Sequence, residues 1–448
     1  MTAAGPAGWA AAVPAHGIGS REDLPLPLGW AIAGAAAAVV LSFVLLGLLW
    51  REPRLDAASA GRPLPAGLAR LLDAPAFRRA LAGVGLVVAG WTLLALLAGP
   101  DDNRNPVPWV VYVLLWVGIV PASVLFGPVW RQLNPLRTVH ALLNRALRLD
   151  PRDGLRPLPA GIGWWPAAVG ILAFAWLELV SPDPASLSTL RTAIALYAAL
   201  ELLAAFLYGS HWFDRGDAFE AWSGLYGRIS PLGRRGDGVL VLRAPLTGLD
   251  GVRPAPGLVA TVIAMLSATA FDGLSGSSAW ARLVQSHGWS RQSAGTVGLL
   301  ATALVLGGVF VACCSVAGAV GGTGPRGAPG LFAPSVVPVA LGYVLAHYYS
   351  FLAVEGQRAF IRLSDPLGTG ANWLGTSHLQ PSYALATPLI VANVQVAAIV
   401  VGHVLGVVLA HDRAVGLFPR ARAVIGQLPL LVLMVTLTCL GLFLLFWD

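Results

Sequence analysis

Apolar residues fall into ten long runs, at residues 29–50, 80–99, 107–130, 161–181, 187–208, 256–276, 296–320, 331–353, 384–410 and 424–447. None alternates polar and apolar positions as a half-buried strand would. Each is long enough to cross ~30 Å of hydrocarbon as a helix rising ~1.5 Å per residue. Within lipid only helices and closed barrels satisfy their own backbone, and these runs are too long and too uniformly apolar for barrel strands. The pattern predicts an all-α, polytopic integral membrane protein of ten transmembrane helices. Five spans fill 29–208, a polar segment follows over 209–255, and five more fill 256–448.

Between the runs, Leu136 to Leu149 sets arginines on one face of a helix and leucines on the other, which predicts an interfacial helix over 136–149. In 209–255, Trp212, Phe213, Phe219, Trp222 and Tyr226 sit among Asp214, Arg215, Asp217 and Glu220, predicting a second interfacial helix. A short hairpin is expected from Gly238 to Leu249. Two sizeable loops are expected at 277–295 and 354–383. The second carries Asp365-Pro366, Gly368, Gly370, Asn372 and Trp373, a turn-rich composition suited to capping a cavity.

Charge adds orientation. All 29 basic residues are arginine, and 22 of them lie in alternate loops, after spans one, three, five, seven and nine. That side is expected to be cytoplasmic by the positive-inside rule, with both termini outside. Only 11% of residues are charged and 56% are hydrophobic, against about 25% charge in soluble domains, which excludes a soluble enzyme, a disordered chain and a disulfide scaffold. The net charge of +7 comes from loop arginines without a basic stripe or interleaved aromatics, so no nucleic-acid partner is expected. The lipid bilayer is the expected partner, and a bacterial plasma membrane the expected location. Residues 1–28 read as an extracytoplasmic tail or a degenerate signal segment ending in Val13-Pro14-Ala15. Cleavage after Ala15 would leave His16 first, where amine and imidazole together can chelate copper.

Several stretches carry a resemblance. They are His16-Gly17 with Arg21-Glu22-Asp23-Leu24-Pro25, Phe126-Gly127-Pro128-Val129-Trp130 with Asn134-Pro135, and Asp217-Ala218-Phe219-Glu220. Further along come Ala270-Phe271-Asp272, Ala346-His347-Tyr348, Gly402-His403-Val404 and Ala410-His411-Asp412. Over nearly its whole length the chain resembles bacterial, often actinobacterial, membrane proteins that go by the name fenitrothion hydrolase. The resemblance implies hydrolysis of an organophosphate-type ester and carries no assigned catalytic residues.

Ionisable groups at membrane depth are expensive and are functional candidates. Asp272, near the outer end of span six, reads either as a site residue at a Gly- and Ser-rich helix break or as a solvated helix end. His347, near the outer end of span eight with Tyr343 one turn earlier, reads either as its partner or as part of an interfacial tyrosine belt. The two share a depth and are the candidate catalytic pair. Glu178 and Arg191 read as an ion pair. Glu201 and His403 lie deeper, and Asn393 and Gln395 lie in the outer half of span nine. Together with Asp272 and His347 they are candidates for a substrate or ion path, or for helix-to-helix hydrogen bonds. Cys313, Cys314 and His403 offer thiol and imidazole for a copper or zinc ion, but without the spacing of a ligand pair, so no cofactor is expected with any force. Gly402 and Gly406 form G-x-x-x-G, which permits close helix packing. No G-x-S-x-G, H-E-x-x-H, Walker loop or C-x-x-C occurs. Three functions follow: a small-molecule transporter or permease, a membrane-embedded ester hydrolase, or a scaffold subunit without turnover.

Overall fold

The computed structural model describes residues 27–446. Helix α1 spans Leu28–Leu49, and α2, Ala66–Asp73, leads into α3, Pro75–Ala98. Next come α4, Trp109–Phe126, then α5, Pro135–Ala146, α6, Trp165–Leu179, and α7, Leu187–Tyr208. A short helix, α8, covers Ala218–Gly227, and α9 covers Leu258–Ser275. Helices α10, Ser278–Ser286, and α11, Arg291–Gly321, follow. The chain ends in α12, Ala328–Arg362, α13, Pro388–Leu417, and α14, Ile425–Phe446.

Nine of these helices are long and apolar enough to cross a membrane. The tenth apolar run appears as α6, which has 15 residues and so spans only about 22 Å. Each predicted run is one helix, and the chain is an all-α polytopic membrane protein. Burial separates centre from rim. In the most apolar stretch of α12, 83% of residues are buried and in α9 67%, against 17% in α1, α3 and α7. The rim helices present Val87, Leu203 and similar side chains outward, as lipid-facing helices do.

Loop contacts sort into two ends that agree with the arginine alternation. At the arginine-rich end, Asp412 accepts from Trp50 Nε1 at 2.8 Å and from the Arg54 backbone N–H at 2.6 Å. Arg413 there donates to the carbonyls of Asp250 and Leu249, and Arg131 pairs with Asp214 at 2.7 Å. At the other end, Asp101 accepts from Leu187 N–H at 3.0 Å, Tyr112 donates to the Pro184 carbonyl, and Trp91 donates to the Leu363 carbonyl.

The structure differs from the sequence reading between spans. Helix α8 is not interfacial: nine of its ten residues are buried, because its aromatic side chains pack inward against α4 and α6. The hairpin sits earlier than expected, as β2, Leu232–Arg234, against β3, Leu240–Leu242, and β3 also pairs with β1, Arg62–Pro63. Residues 277–295 contain α10, capped by Ser277. The loop expected from 354 begins only after Arg362. The α12 helix runs on because Glu355, fully buried, finds partners in Trp109 Nε1 at 2.9 Å and Arg358 at 2.6 Å.

The G-x-x-x-G of α13 works as expected. A Cβ on Gly402 would lie 2.7 Å from the Pro338 carbonyl oxygen, and one on Gly406 2.8 Å from that of Ser335. The backbones of α12 and α13 touch there. Gly402→Val is expected to cost at least about 1–3 kcal/mol through overpacking, read as a lower thermal midpoint in detergent. An unchanged midpoint would mean the crossing tolerates separation.

Candidate functional site

Asp272 lies three residues before the end of α9 and His347 lies within α12, so the two helices present them to each other near the arginine-poor end. His347 Nε2 stands 2.8 Å from Asp272 Oδ2, with the carboxylate side chain fully buried and the imidazole 14% exposed. Tyr348 is also fully buried, and its hydroxyl donates to the same carboxylate oxygen at 2.8 Å. Asp272 is therefore not a solvated helix end. Tyr343 and Tyr348 are buried too, so they form no interfacial belt.

Glu178 on α6 is a second buried carboxylate close enough to feel the charge of Asp272. It does not pair with Arg191, whose guanidinium donates instead to the Leu96 carbonyl at 2.9 Å. Two acids and an imidazole thus share one neighbourhood. A small cleft opens beside them, lined by Thr269, Gly273, Tyr343, His347, Gly441 and Leu444. The Thr269 hydroxyl in its wall has no hydrogen-bond partner among the described residues. The arrangement can hold and exchange a proton: imidazole and carboxylate share it, and the tyrosine holds the carboxylate in place.

The other path candidates disperse. Asn393 is exposed and its amide donates to the Leu389 carbonyl one turn back. Gln395, two residues on, is half-buried. His403 is fully buried, with Nδ1 2.7 Å from the Ile399 carbonyl and its ring against that of Tyr343, one layer below the cleft. Glu201 belongs to a different neighbourhood, accepting from Trp212 Nε1 at 2.6 Å towards the arginine-rich end. Cys314 is buried and Cys313 half-buried. Neither thiol joins His403 in a ligand cluster, since no group of three or more His, Cys, Asp or Glu that could hold a metal occurs among the described residues. His16 lies outside the described residues.

The sequence reading missed a second cluster, at the arginine-rich end. Asn134 caps α5 through its side-chain oxygen, while its Nδ2 donates to Asp217 at 3.1 Å and Glu220 at 3.0 Å. Asp217 caps α8 by accepting from Glu220 N–H at 2.8 Å. Arg137 grips both Glu220 oxygens at 2.7 Å and reaches Asp214 at 2.7 Å. Glu201 lies within range of the charges on Asp217 and Glu220.

Burial, together with the neighbouring Glu220 charge, pushes the Asp217 carboxyl up to about 7. An acid raised in the folded state binds its proton more tightly there than in the unfolded chain. Its stabilising contribution is full below about 4 and is lost as pH rises through about 7. The thermal midpoint in detergent is expected to fall between pH 5 and pH 8, and Asp217→Asn, which keeps a capping oxygen, is expected to flatten that slope. A slope identical in both proteins would assign it to other groups.

Aromatic rings separate the two clusters. Phe219 and Trp222, on α8 beside the Arg137 cluster, pack upward. The Trp222 ring stacks on Trp116 at 4.1 Å, Trp116 meets Phe174 at 4.6 Å, and Phe174 meets Phe219 at 5.2 Å. Trp116 in turn approaches the Tyr348 hydroxyl of the Asp272 cluster. Trp116 sits in the stretch Trp109–Gly118 that is wound as a π-helix, a winding found often at functional sites. Comparison with family models, with curated proteins and with solved structures finds no match to this chain.

Proposed function

We propose that this multi-pass membrane protein is a proton-coupled carrier of a small solute. Asp272, His347 and Tyr348 form the outer proton site, the cluster around Glu220 and Glu201 forms the cytoplasmic one, and the Trp116–Trp222 stack forms the barrier between them. The observation that supports this is the pairing of two buried acidic clusters, one towards each end of the bundle, across a thin aromatic layer. Buried ionisable groups facing the bundle interior are costly, and such groups commonly mark ion and proton pathways. A carrier needs its two half-paths sealed from one another in any one conformation. A continuous polar channel would not be sealed; one or two ring layers are.

The test is reconstitution into liposomes with a trapped pH-sensitive dye, under imposed gradients of protons and of a panel of organic acids, amino acids and sugars. Proton movement above that of protein-free vesicles is expected with at least one gradient. No movement under any of them would overturn the reading.

A second reading is favoured by the cleft beside His347. An imidazole oriented by a carboxylate at 2.8 Å is a general-base pair, and the resemblance to fenitrothion hydrolases points to an ester as its substrate. Release of nitrophenol from a nitroaryl phosphotriester by the purified protein would select this reading over the first.

A further inference from the structure

Helix α5 ends in a Schellman motif, with Arg148 N–H bonded to the Arg145 carbonyl at 3.0 Å and Leu149 N–H to that of Asn144 at 2.8 Å. The residue after the cap sits in the left-handed region, a place usually held by glycine because a side chain there crowds the following carbonyl. Here it is Arg148, at φ 60°; Leu246 is the other non-glycine residue with positive φ among those described. An arginine placed where glycine would be relaxed points to work done by the guanidinium.

The surroundings say what that work is. Arg145, Arg148, Arg152 and Arg156 are all exposed, and none pairs with a carboxylate among the described residues. Asp150, in the same stretch, accepts the Arg152 backbone N–H instead. Interleaved with the arginines are exposed leucines: Leu143, Leu147 and Leu149, with Leu147 62% and Leu155 80% exposed. Depth is set independently. Leu155 and Arg156 donate their backbone N–H groups to the carbonyls of Phe206 and Leu207, in the last turn of the membrane span α7, and Ser210 N–H donates to Pro151. The patch is therefore laced to the end of a span, at the level of lipid headgroups.

We infer that residues 142–156 form a binding surface for an anionic phospholipid. The guanidinium forks match phosphate oxygens, and the leucines dip into the acyl region beside them. The excess of free arginines selects an anionic over a zwitterionic headgroup.

The test uses the full chain in neutral detergent, with its thermal midpoint followed as phosphatidylglycerol or phosphatidylcholine of the same acyl chains is added. Phosphatidylglycerol is expected to raise the midpoint by several degrees more than phosphatidylcholine, and inorganic phosphate is expected not to reproduce the rise. The triple variant Arg145→Gln, Arg152→Gln, Arg156→Gln is expected to lose the difference. Arg148→Gly separates the roles: the midpoint is expected to rise in phosphatidylcholine, as strain is relieved, while the phosphatidylglycerol increment shrinks. An Arg148→Gly protein that keeps the full increment, or a native chain that treats the two lipids or phosphate alike, would overturn the inference.

Discussion

Asp272→Asn is expected to reduce proton movement in liposomes to the level of protein-free vesicles while leaving the folded protein intact. The amide retains an oxygen to accept from Tyr348, which now holds the carboxylate at 2.8 Å, and it occupies the same volume between α9 and α12. What it loses is the ability to bind and release a proton. His347→Ala removes the partner at 2.8 Å and is expected to do the same; His347→Gln, which keeps a hydrogen bond to Asp272, is expected to restore folding stability but not flux. Flux and thermal midpoint must be read together. Native flux in both Asp272→Asn and His347→Ala would remove the outer cluster from the pathway. If the phosphotriester reading holds instead, the same substitutions are expected to lower turnover by about 10²–10⁴, the usual contribution of a positioned acid or base.

Much of this was legible in the chain because lipid imposes simple rules. A run of apolar residues can do little but form a helix, so all ten predicted runs appear, although α6 is shorter than its run. Arginine alternation placed loops on two sides, and the contacts of Asp412 with Trp50 and of Asp101 with Leu187 agree with it. The meeting of Asp272 with His347 was also readable, since two ionisable groups at one depth near the ends of neighbouring spans have few other partners.

What failed to show is the consequence of packing between segments far apart in sequence. Trp222 reads as an interfacial aromatic because polar residues surround it, yet it stacks on Trp116, 106 residues earlier. Asn134, Arg137, Asp214, Asp217 and Glu220 lie in two stretches, neither of which is a motif on its own. Two local signals were present: Asn134-Pro135 at the start of α5, and Asp217 with Glu220 three residues later, a capping-box spacing before an aromatic-rich helix. They mark helix starts, but not that the two starts share one buried arginine. Glu201 and His403 looked alike by depth and proved to belong to different neighbourhoods, because depth fixes one coordinate of three.

That buried arginine carries the largest expected effect on stability. Arg137 is 18% exposed and Glu220 only 3%, and the guanidinium bonds both oxygens of that carboxylate, one of Asp214 and the Ser210 carbonyl, with Phe213 beneath its plane. Arg137→Gln removes the charge and the fork while leaving Glu220 and Asp214 in place. A buried acid stripped of its partner costs about 3–5 kcal/mol, enough to unhinge α5 from α8 in a domain of ordinary stability. The expected result is loss of most folded protein on extraction, or a thermal midpoint far below native. Arg137→Lys is expected to fall between, since an ammonium cannot bond two carboxylate oxygens in parallel. The double variant Arg137→Met, Glu220→Gln is expected to recover much of the loss, because removing both members of a buried pair spares the desolvation cost of leaving one behind. Recovery in the double variant with loss in the single would tie the energy to the pair. Equal loss in both would assign it to the contact of the guanidinium with Phe213, and the cluster at the arginine-rich end would then be a packing feature with no charge stored in it for a proton to reach.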